Sequence, residues 1–176
     1  MVLLTIFILY SKDVSEIILI LHNIRSTHNV GSIFRTAEGL GVAKIICSGY
    51  TPYPTFDGDT RLPHLSEKIT EQIHKTALGA ESMVPFEYQN ELPVESLKAA
   101  GYTLVALEQN NRSTPINAYI PPHKVALLLG EEVHGIEKEL LNACDAIIEI
   151  PMKGKKESFN VSVAAGIALY SLTISA

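Results

Sequence analysis

An asparagine and an arginine, six residues apart, make the segment HNVGSIFRTA from His28 to Ala37 a candidate ligand-binding segment. Asn29 is typical of a helix N-cap, and the apolar residues after it fall on one helical face. At about 100° per residue, Arg35 projects roughly 160° from the middle of that face. The segment predicts a helix that presents a guanidinium on its free side. The alternative is that Asn29 is only a cap and Arg35 only a surface residue.

Two adjacent carboxylates stand between glycines in a second segment, LLLGEEVHGI, which runs from Leu127 to Ile136. Gly130 follows an apolar strand, where a glycine lets a ligand approach the main chain closely. Glu131 and Glu132 do not resemble a phosphate-binding loop, which needs bare N–H groups and a lysine. Their carboxylates suit hydrogen bonds from hydroxyl, ammonium or arginine donors. The alternative is that both lie in the first turn of the next helix, where they favour its dipole.

A third segment joins IEIPM, which ends at Met152, to SFNVSVAAGIA, which begins at Ser158. Ser158 and Asn160 both offer N-caps to the last helix, whose many small residues predict very close packing. The loop between the two parts contains a cluster of lysines: Lys153, Lys155 and Lys156. On its own, this cluster is more typical of a solvated loop than of a binding site.

Apolar runs of strand length alternate with helical patterns along the chain. Strands are predicted at 16–22, 43–47, 82–86, 102–108, 124–129 and 146–150. Helices are predicted at 30–40, 66–76, 94–100, 136–143 and 161–173. Near-continuous Ile, Val and Leu is typical of strands buried on both faces, so we predict an α/β fold with a mostly parallel sheet flanked by helices. Ligands bind at the carboxyl ends of the strands in such sheets.

Composition is that of one folded domain of 176 residues, with 47% hydrophobic and 19% charged residues. The net charge of −5 argues against a protein that coats nucleic acid by charge alone, but it leaves room for a local basic site. All four arginines lie in predicted loops or beside a motif. The irregular stretch 49–63 is long enough to be a functional loop.

Two cysteines, Cys47 and Cys144, belong to no C-x-x-C pair, which suits a reducing cytoplasm. The apolar residues 1–10 and 17–21 are separated by charged residues, so no membrane span is expected. A signal peptide would need a basic start and a small-residue cleavage site, and both are missing. We expect one domain over 1–176, with 1–15 an extra strand or a loosely attached extension.

Taken in order, the three segments resemble the three motifs of the SpoU/TrmH class of SPOUT methyltransferases. The resemblance covers the chain from the first predicted strand to the end. It implies transfer of a methyl group from S-adenosylmethionine to a ribose 2′-hydroxyl of tRNA or rRNA. It also implies a carboxyl-terminal trefoil knot that binds the cofactor, and a homodimer.

The resemblance assigns roles residue by residue. The catalytic set is Asn29, Arg35, Glu132, Ser158 and Asn160. The cofactor-binding set is Leu107, Gly130, Ile150, Met152, Ser158 and Phe159. Phe159 departs from the family pattern, where leucine is commoner. The positions and charges of the basic residues complete an RNA-binding set of Arg25, Arg35, Arg61, Lys153, Lys155 and Lys156.

The sequence gives weaker support to three other functions. A non-catalytic RNA- or cofactor-binding module of the same fold would not need the intact motif residues. Another nucleotide-binding α/β enzyme would need a G-x-G-x-x-G or G-K-[ST] turn after a strand, and the sequence contains neither. A metal hydrolase would need clustered histidines, whereas the six histidines show no ligand spacing, so no metal is expected.

Overall fold

A seven-stranded parallel sheet forms the centre of the computed structural model, which describes residues 16–174. The expectation for residues 1–15 lies outside the described residues. The strands are β1 Glu16–His22, β2 Lys44–Ser48, β3 Phe86–Gln89, β4 Thr103–Leu107, β5 Thr114–Pro115, β6 Lys124–Leu129 and β7 Ala146–Glu149. Their order is β3-β2-β1-β6-β4-β7-β5, and every neighbouring pair is parallel.

Five α-helices flank this sheet. They are α1 Thr27–Gly39, α2 Pro63–Ala77, α3 Val94–Ala99, α4 Lys138–Ala143 and α5 Val161–Ile174. The third strand was predicted at 82–86 but runs over Phe86–Gln89, because Ala80–Ser82 form a turn of 3₁₀ helix instead. The polar residues of β3 are typical of an edge strand. They leave no continuous apolar run that would mark the strand in the sequence. No helix of residues 16–174 has the length and apolar character needed to cross a bilayer.

Both faces of the sheet are buried, as the apolar strands predict. In β1, Ile17, Leu19 and Leu21 point towards α1 and α2, while Ile18 and Ile20 belong to the opposite cluster with α3 and α4. Burial of each such side chain stabilises the fold by about 1.5–3 kcal/mol. The two central strands are therefore a rigid base for the loops that follow them.

Helix α1 is held tightly between two other helices. A Cβ atom on Gly31 would lie 2.2 Å from the main-chain oxygen of Ile73, so only glycine allows α2 to come so close. The Thr76 hydroxyl donates to the main-chain oxygen of His28 at 2.9 Å. On its other side α1 meets α5, where a Cβ on Gly166 would contact the Thr36 side chain. This close packing was predicted for α5 from its small residues.

The prediction that Asn29 is the N-cap of α1 is wrong. Ser26 is the cap, and its Oγ accepts from the main-chain N–H of Asn29 at 3.2 Å. Helix α1 begins at Thr27, so Asn29 lies in its first turn. Because Ser26 takes the capping role, the Asn29 amide is free to bond elsewhere.

Candidate active site

A pocket of about 260 Å³ opens at the carboxyl ends of β4, β6 and β7. All six residues assigned to the cofactor from the sequence lie in its wall: Leu107, Gly130, Ile150, Met152, Ser158 and Phe159. They come from three strand ends and from the loop just before α5. The fold thus brings residues separated by up to about fifty positions to one cavity, at the edge where parallel sheets bind ligands.

The turn after β6 closes on itself. The N–H of Glu131 donates to the oxygen of Gly135 at 3.2 Å, and the N–H of Gly135 donates back at 3.0 Å. A Cβ atom on Gly130 would lie 2.4 Å from Cγ1 of Ile136. The packing of the turn itself therefore requires glycine here, in addition to the ligand approach that the sequence predicts. Helix α4 starts only at Lys138, so neither glutamate lies in its first turn.

Glu108 supports this turn from the end of β4. Its carboxylate accepts the main-chain N–H of Ile136 at 3.1 Å and that of Gln109 at 2.9 Å. Gly135 adopts a φ of +70°, and a Cβ there would lie 2.2 Å from Oε2 of Glu108. Sequence reasoning missed Glu108, whose only signal was its position directly after a buried strand.

One hydrogen-bonded chain joins the three sequence segments. The Nδ2 of Asn29 donates to Oε1 of Glu132 at 3.0 Å. The Nδ2 of Asn160 donates to Oδ1 of Asn29 at 3.2 Å. Asn160 in turn caps α5, since its Oδ1 accepts the main-chain N–H of Ser162 at 2.9 Å. Asn29, Glu132 and Asn160 thus meet, and Glu132 also lines the pocket.

The charge of Glu132 is set by two opposing influences. Partial burial raises its pKa, but the hydrogen bonds from the Asn29 side chain and from main-chain N–H groups outweigh it. The main-chain N–H of Arg25 donates to its Oε2 at 3.2 Å. The net result is a pKa below the ordinary value for glutamate. Glu132 is an ionised acceptor at neutral pH, which suits it to orient the Asn29 amide.

The remaining two residues of the predicted catalytic set stand apart from this chain of bonds. Arg35 is exposed on α1, about 9 Å along the axis from Asn29. Within residues 16–174 its guanidinium has no hydrogen-bond or ion-pair partner. Ser158 is exposed in the pocket wall. It provides no cap bond to α5 among the described residues, so of the two predicted caps only Asn160 acts as one.

The predicted RNA-binding residues fall into different environments. Lys153, Lys155 and Lys156 are exposed in the loop between β7 and α5. Arg25 is bound to a carboxylate of the turn after β6. Arg61 bonds within its own loop.

Arg61 holds the loop after β2 together. Its Nη1 donates to the main-chain oxygen of Tyr53 at 3.1 Å, and its Nη2 donates to that of Pro54 at 3.2 Å. Its Nε donates to Asp59 at 3.0 Å, and the guanidinium lies 3.6 Å from the centre of the Tyr53 ring. Hydrogen bonding to Arg61 lowers the pKa of Asp59 to about 2. Most of the N–H groups of the Arg61 guanidinium are thus bonded to oxygens of its own loop.

Residues 16–170 match the SpoU rRNA Methylase family. A tRNA (guanosine(18)-2′-O)-methyltransferase of Borreliella burgdorferi is 29% identical over 157 residues, covering 87% of this chain and 64% of the relative. A 23S rRNA (guanosine-2′-O-)-methyltransferase of Coxiella burnetii is 29% identical over 167 residues, covering 94% and 61%. The chain therefore spans less than two thirds of the length of these relatives.

The fold is also that of solved structures. The crystal structure of an AdoMet-bound rRNA methyltransferase from Sinorhizobium meliloti superposes with a TM-score of 0.73 at 25% identity, covering 90% of this chain and 56% of that one. The parallel sheet flanked by helices that the sequence predicted is confirmed. The trefoil knot expected near the carboxyl terminus follows from this fold.

Proposed function

Because this chain belongs to the SpoU rRNA methylase family, we propose that it transfers a methyl group from S-adenosylmethionine to a ribose 2′-hydroxyl of tRNA or rRNA. The similar proteins named above support both the reaction and the class of RNA. The observation that carries the proposal is the bonded chain Glu132–Asn29–Asn160 beside the pocket. Three distant segments converge there on one point.

The pocket wall suits the methyl donor. Leu107, Ile150 and Phe159 offer apolar surface for the faces of an adenine ring, and the wall includes the ionised Glu132 for a cationic ligand. Main-chain groups at Gly130, Ile150 and Met152 would bind the polar edges of the adenine and ribose. When bound, S-adenosylmethionine supplies a methyl group on a sulfonium, which departs as a neutral thioether.

The demanding part of the reaction is the weakly acidic ribose hydroxyl. A side chain must align its oxygen with the methyl group and allow its proton to leave. In our proposal Arg35 holds the RNA phosphate and stabilises the developing alkoxide, since a guanidinium is effectively always charged. The proton passes to a phosphate oxygen or to a water. Glu132 does not take it, because its pKa is lowered and both its oxygens already accept hydrogen bonds.

RNA contacts are proposed for Arg35 and for the lysine loop, Lys153, Lys155 and Lys156. These side chains are exposed, and they add positive charge to a chain that is acidic overall. Arg61 is left out of this proposed set because its donors hold its own loop. Binding through such contacts weakens steeply with salt.

A homodimer is proposed from the outer face of α5. Val163, Ile167, Tyr170 and Ile174 follow one another at helical spacing on that face and are 36–60% exposed. An apolar stripe of this kind on a packed helix is typical of an interface. A second copy of the chain is the partner that the family resemblance implies.

Ile167→Asp is expected to convert the dimer to a monomer, because a carboxylate in an apolar interface loses its hydration without gaining a partner. Light scattering coupled to size exclusion gives the mass, and circular dichroism checks the fold. Ile120→Asp is the matched control, since Ile120 is 87% exposed in the loop before β6. A folded Ile167→Asp protein with the dimer mass would exclude this face.

The proposed reaction is tested by two measurements on the wild-type protein. Calorimetry is expected to show binding of S-adenosylmethionine, and a tritiated methyl donor is expected to label total cellular RNA. Binding without labelling would favour a non-catalytic module of the same fold. Absence of both would refute the proposal.

We assign residues 1–176 to a single methyltransferase domain, with 1–15 as an extension. We also place the protein in the cytoplasm. Both cysteines are free, and burial raises the pKa of Cys47 to about 12, so this thiol stays protonated.

A further inference from the structure

Arg25 forms hydrogen bonds with both glutamates of the turn after β6. Its Nε donates to Oε1 of Glu131 at 2.8 Å, and its Nη2 donates to the same oxygen. Its main-chain N–H donates to Oε2 of Glu132 at 3.2 Å. Arg25, in the loop after β1, therefore holds two neighbouring carboxylates that lie more than one hundred positions away in the sequence.

Glu131 is the centre of the turn's own bonding. Its Oε2 bonds to Nδ1 of His134 at 2.7 Å, while its main chain pairs with Gly135. Its side chain is only 12% exposed, against 55% for Arg25. Hydrogen bonding to Arg25, and then to His134, lowers the pKa of Glu131. A carboxylate so enclosed depends on its partners to keep its position.

The consequence reaches Glu132 through the main chain. Glu131 and Glu132 are consecutive, so a movement of the turn at Glu131 also moves the main chain that carries the Glu132 carboxylate. Glu132 in turn fixes the Asn29 amide at 3.0 Å. The contacts of Arg25 thus lead directly to the residues proposed for catalysis.

We infer that Arg25 and Glu131 form a positioning pair that orients Glu132 and Asn29 for methyl transfer, and that Arg25 is not a phosphate contact. This inference rests on the proposed function. Two donors of Arg25 are already committed to Glu131, and the pair together carries no net charge. An RNA phosphate could reach only the remaining N–H groups of Arg25, beside a carboxylate that repels it.

The test compares Arg25→Gln with Glu131→Gln. As a positioning pair, each variant is expected to lower kcat by about tenfold or more, with the KM values for RNA and S-adenosylmethionine within about twofold of wild type. The double variant is expected to resemble either single variant, because residues that act as a unit are not additive. The slope of RNA affinity against salt is expected to stay unchanged.

A phosphate contact predicts opposite signs for the two variants. Glu131→Gln would then free the guanidinium and strengthen RNA binding. Arg25→Gln would weaken it and reduce the salt slope by about 0.7–0.9, the change for one lost phosphate contact. That pattern would overturn the inference. Lys68→Gln, which removes an exposed charge on α2, is the control for net charge and is expected to keep wild-type kcat.

A structural readout keeps this result separate from the proposed function. The side-chain amide resonances of Asn29 are expected to shift in Arg25→Gln and in Glu131→Gln but not in Lys68→Gln. They report on the pair even if the wild-type protein transfers no methyl group. Unshifted resonances in both variants would refute the positioning role, whereas an inactive wild type would refute only the reaction.

Discussion

Replacing Arg35 by alanine is expected to reduce methyl transfer by about 100- to 1000-fold while leaving the affinity for S-adenosylmethionine within about twofold. The magnitude is that of losing one group that stabilises developing negative charge. Cofactor binding should persist because Arg35 is exposed on α1 and does not line the pocket. Single-turnover methylation and calorimetry measure the two quantities separately.

Arg35→Lys then separates charge from shape. A lysine keeps the positive charge but cannot offer the planar pair of donors that a guanidinium gives to a phosphate. Partial activity is expected. Full activity would show that charge alone suffices. Arg112→Ala serves as the matched control, because Arg112 is exposed and bonds to Asn142 away from the pocket. An active Arg35→Ala protein would remove Arg35 from the mechanism.

The second large effect is expected at Asn29, which joins Glu132 to Asn160. Asn29→Ala removes both bonds and leaves a carboxylate without its side-chain donor, which costs about 1–3 kcal/mol. If that cost falls on the transition state, kcat decreases by about 10- to 100-fold. Asn117→Ala is a suitable control, because Asn117 is exposed in the 3₁₀ turn Ile116–Ala118.

Asn29→Asp tests the same contact through the pH dependence of kcat. The aspartate keeps the shape of the asparagine side chain. It replaces the amide that donates to Glu132 at 3.0 Å by a second carboxylate. Two such carboxylates resist joint ionisation, so the pKa of one of them rises. The variant is expected to be inactive at neutral pH and to recover in part as the pH falls and a shared proton binds. A kcat equal to wild type at neutral pH in either Asn29 variant would contradict the role assigned to the bonded chain.

The central strands were predictable because their signal is local. The bounds of β1 and β6 agree with the predicted 16–22 and 124–129, since each is a continuous apolar run buried on both faces. The predicted position of the edge strand β3 was wrong because the residues of this strand alternate in polarity and are only partly buried. Ser26 was missed as the cap of α1 because Asn29 has an equally good capping side chain.

The site was predictable only where a motif marked it. The meeting of Asn29, Glu132 and Asn160 follows from three segments whose order resembles one family. The bonds of Arg25 to Glu131 and of Glu108 to Ile136 join positions 106 and 28 residues apart. No spacing rule within one sequence pairs such residues, because their contact depends on which strands lie side by side.

The position of the transferred methyl group tests the central claim most directly. RNA labelled by the wild-type protein with a tritiated methyl donor is hydrolysed in alkali, which requires a free 2′-hydroxyl to cleave the chain. A methylated ribose resists this cleavage, so the label is expected in alkali-stable dinucleotides. Label recovered in mononucleotides would place the methyl group on a base and contradict the account.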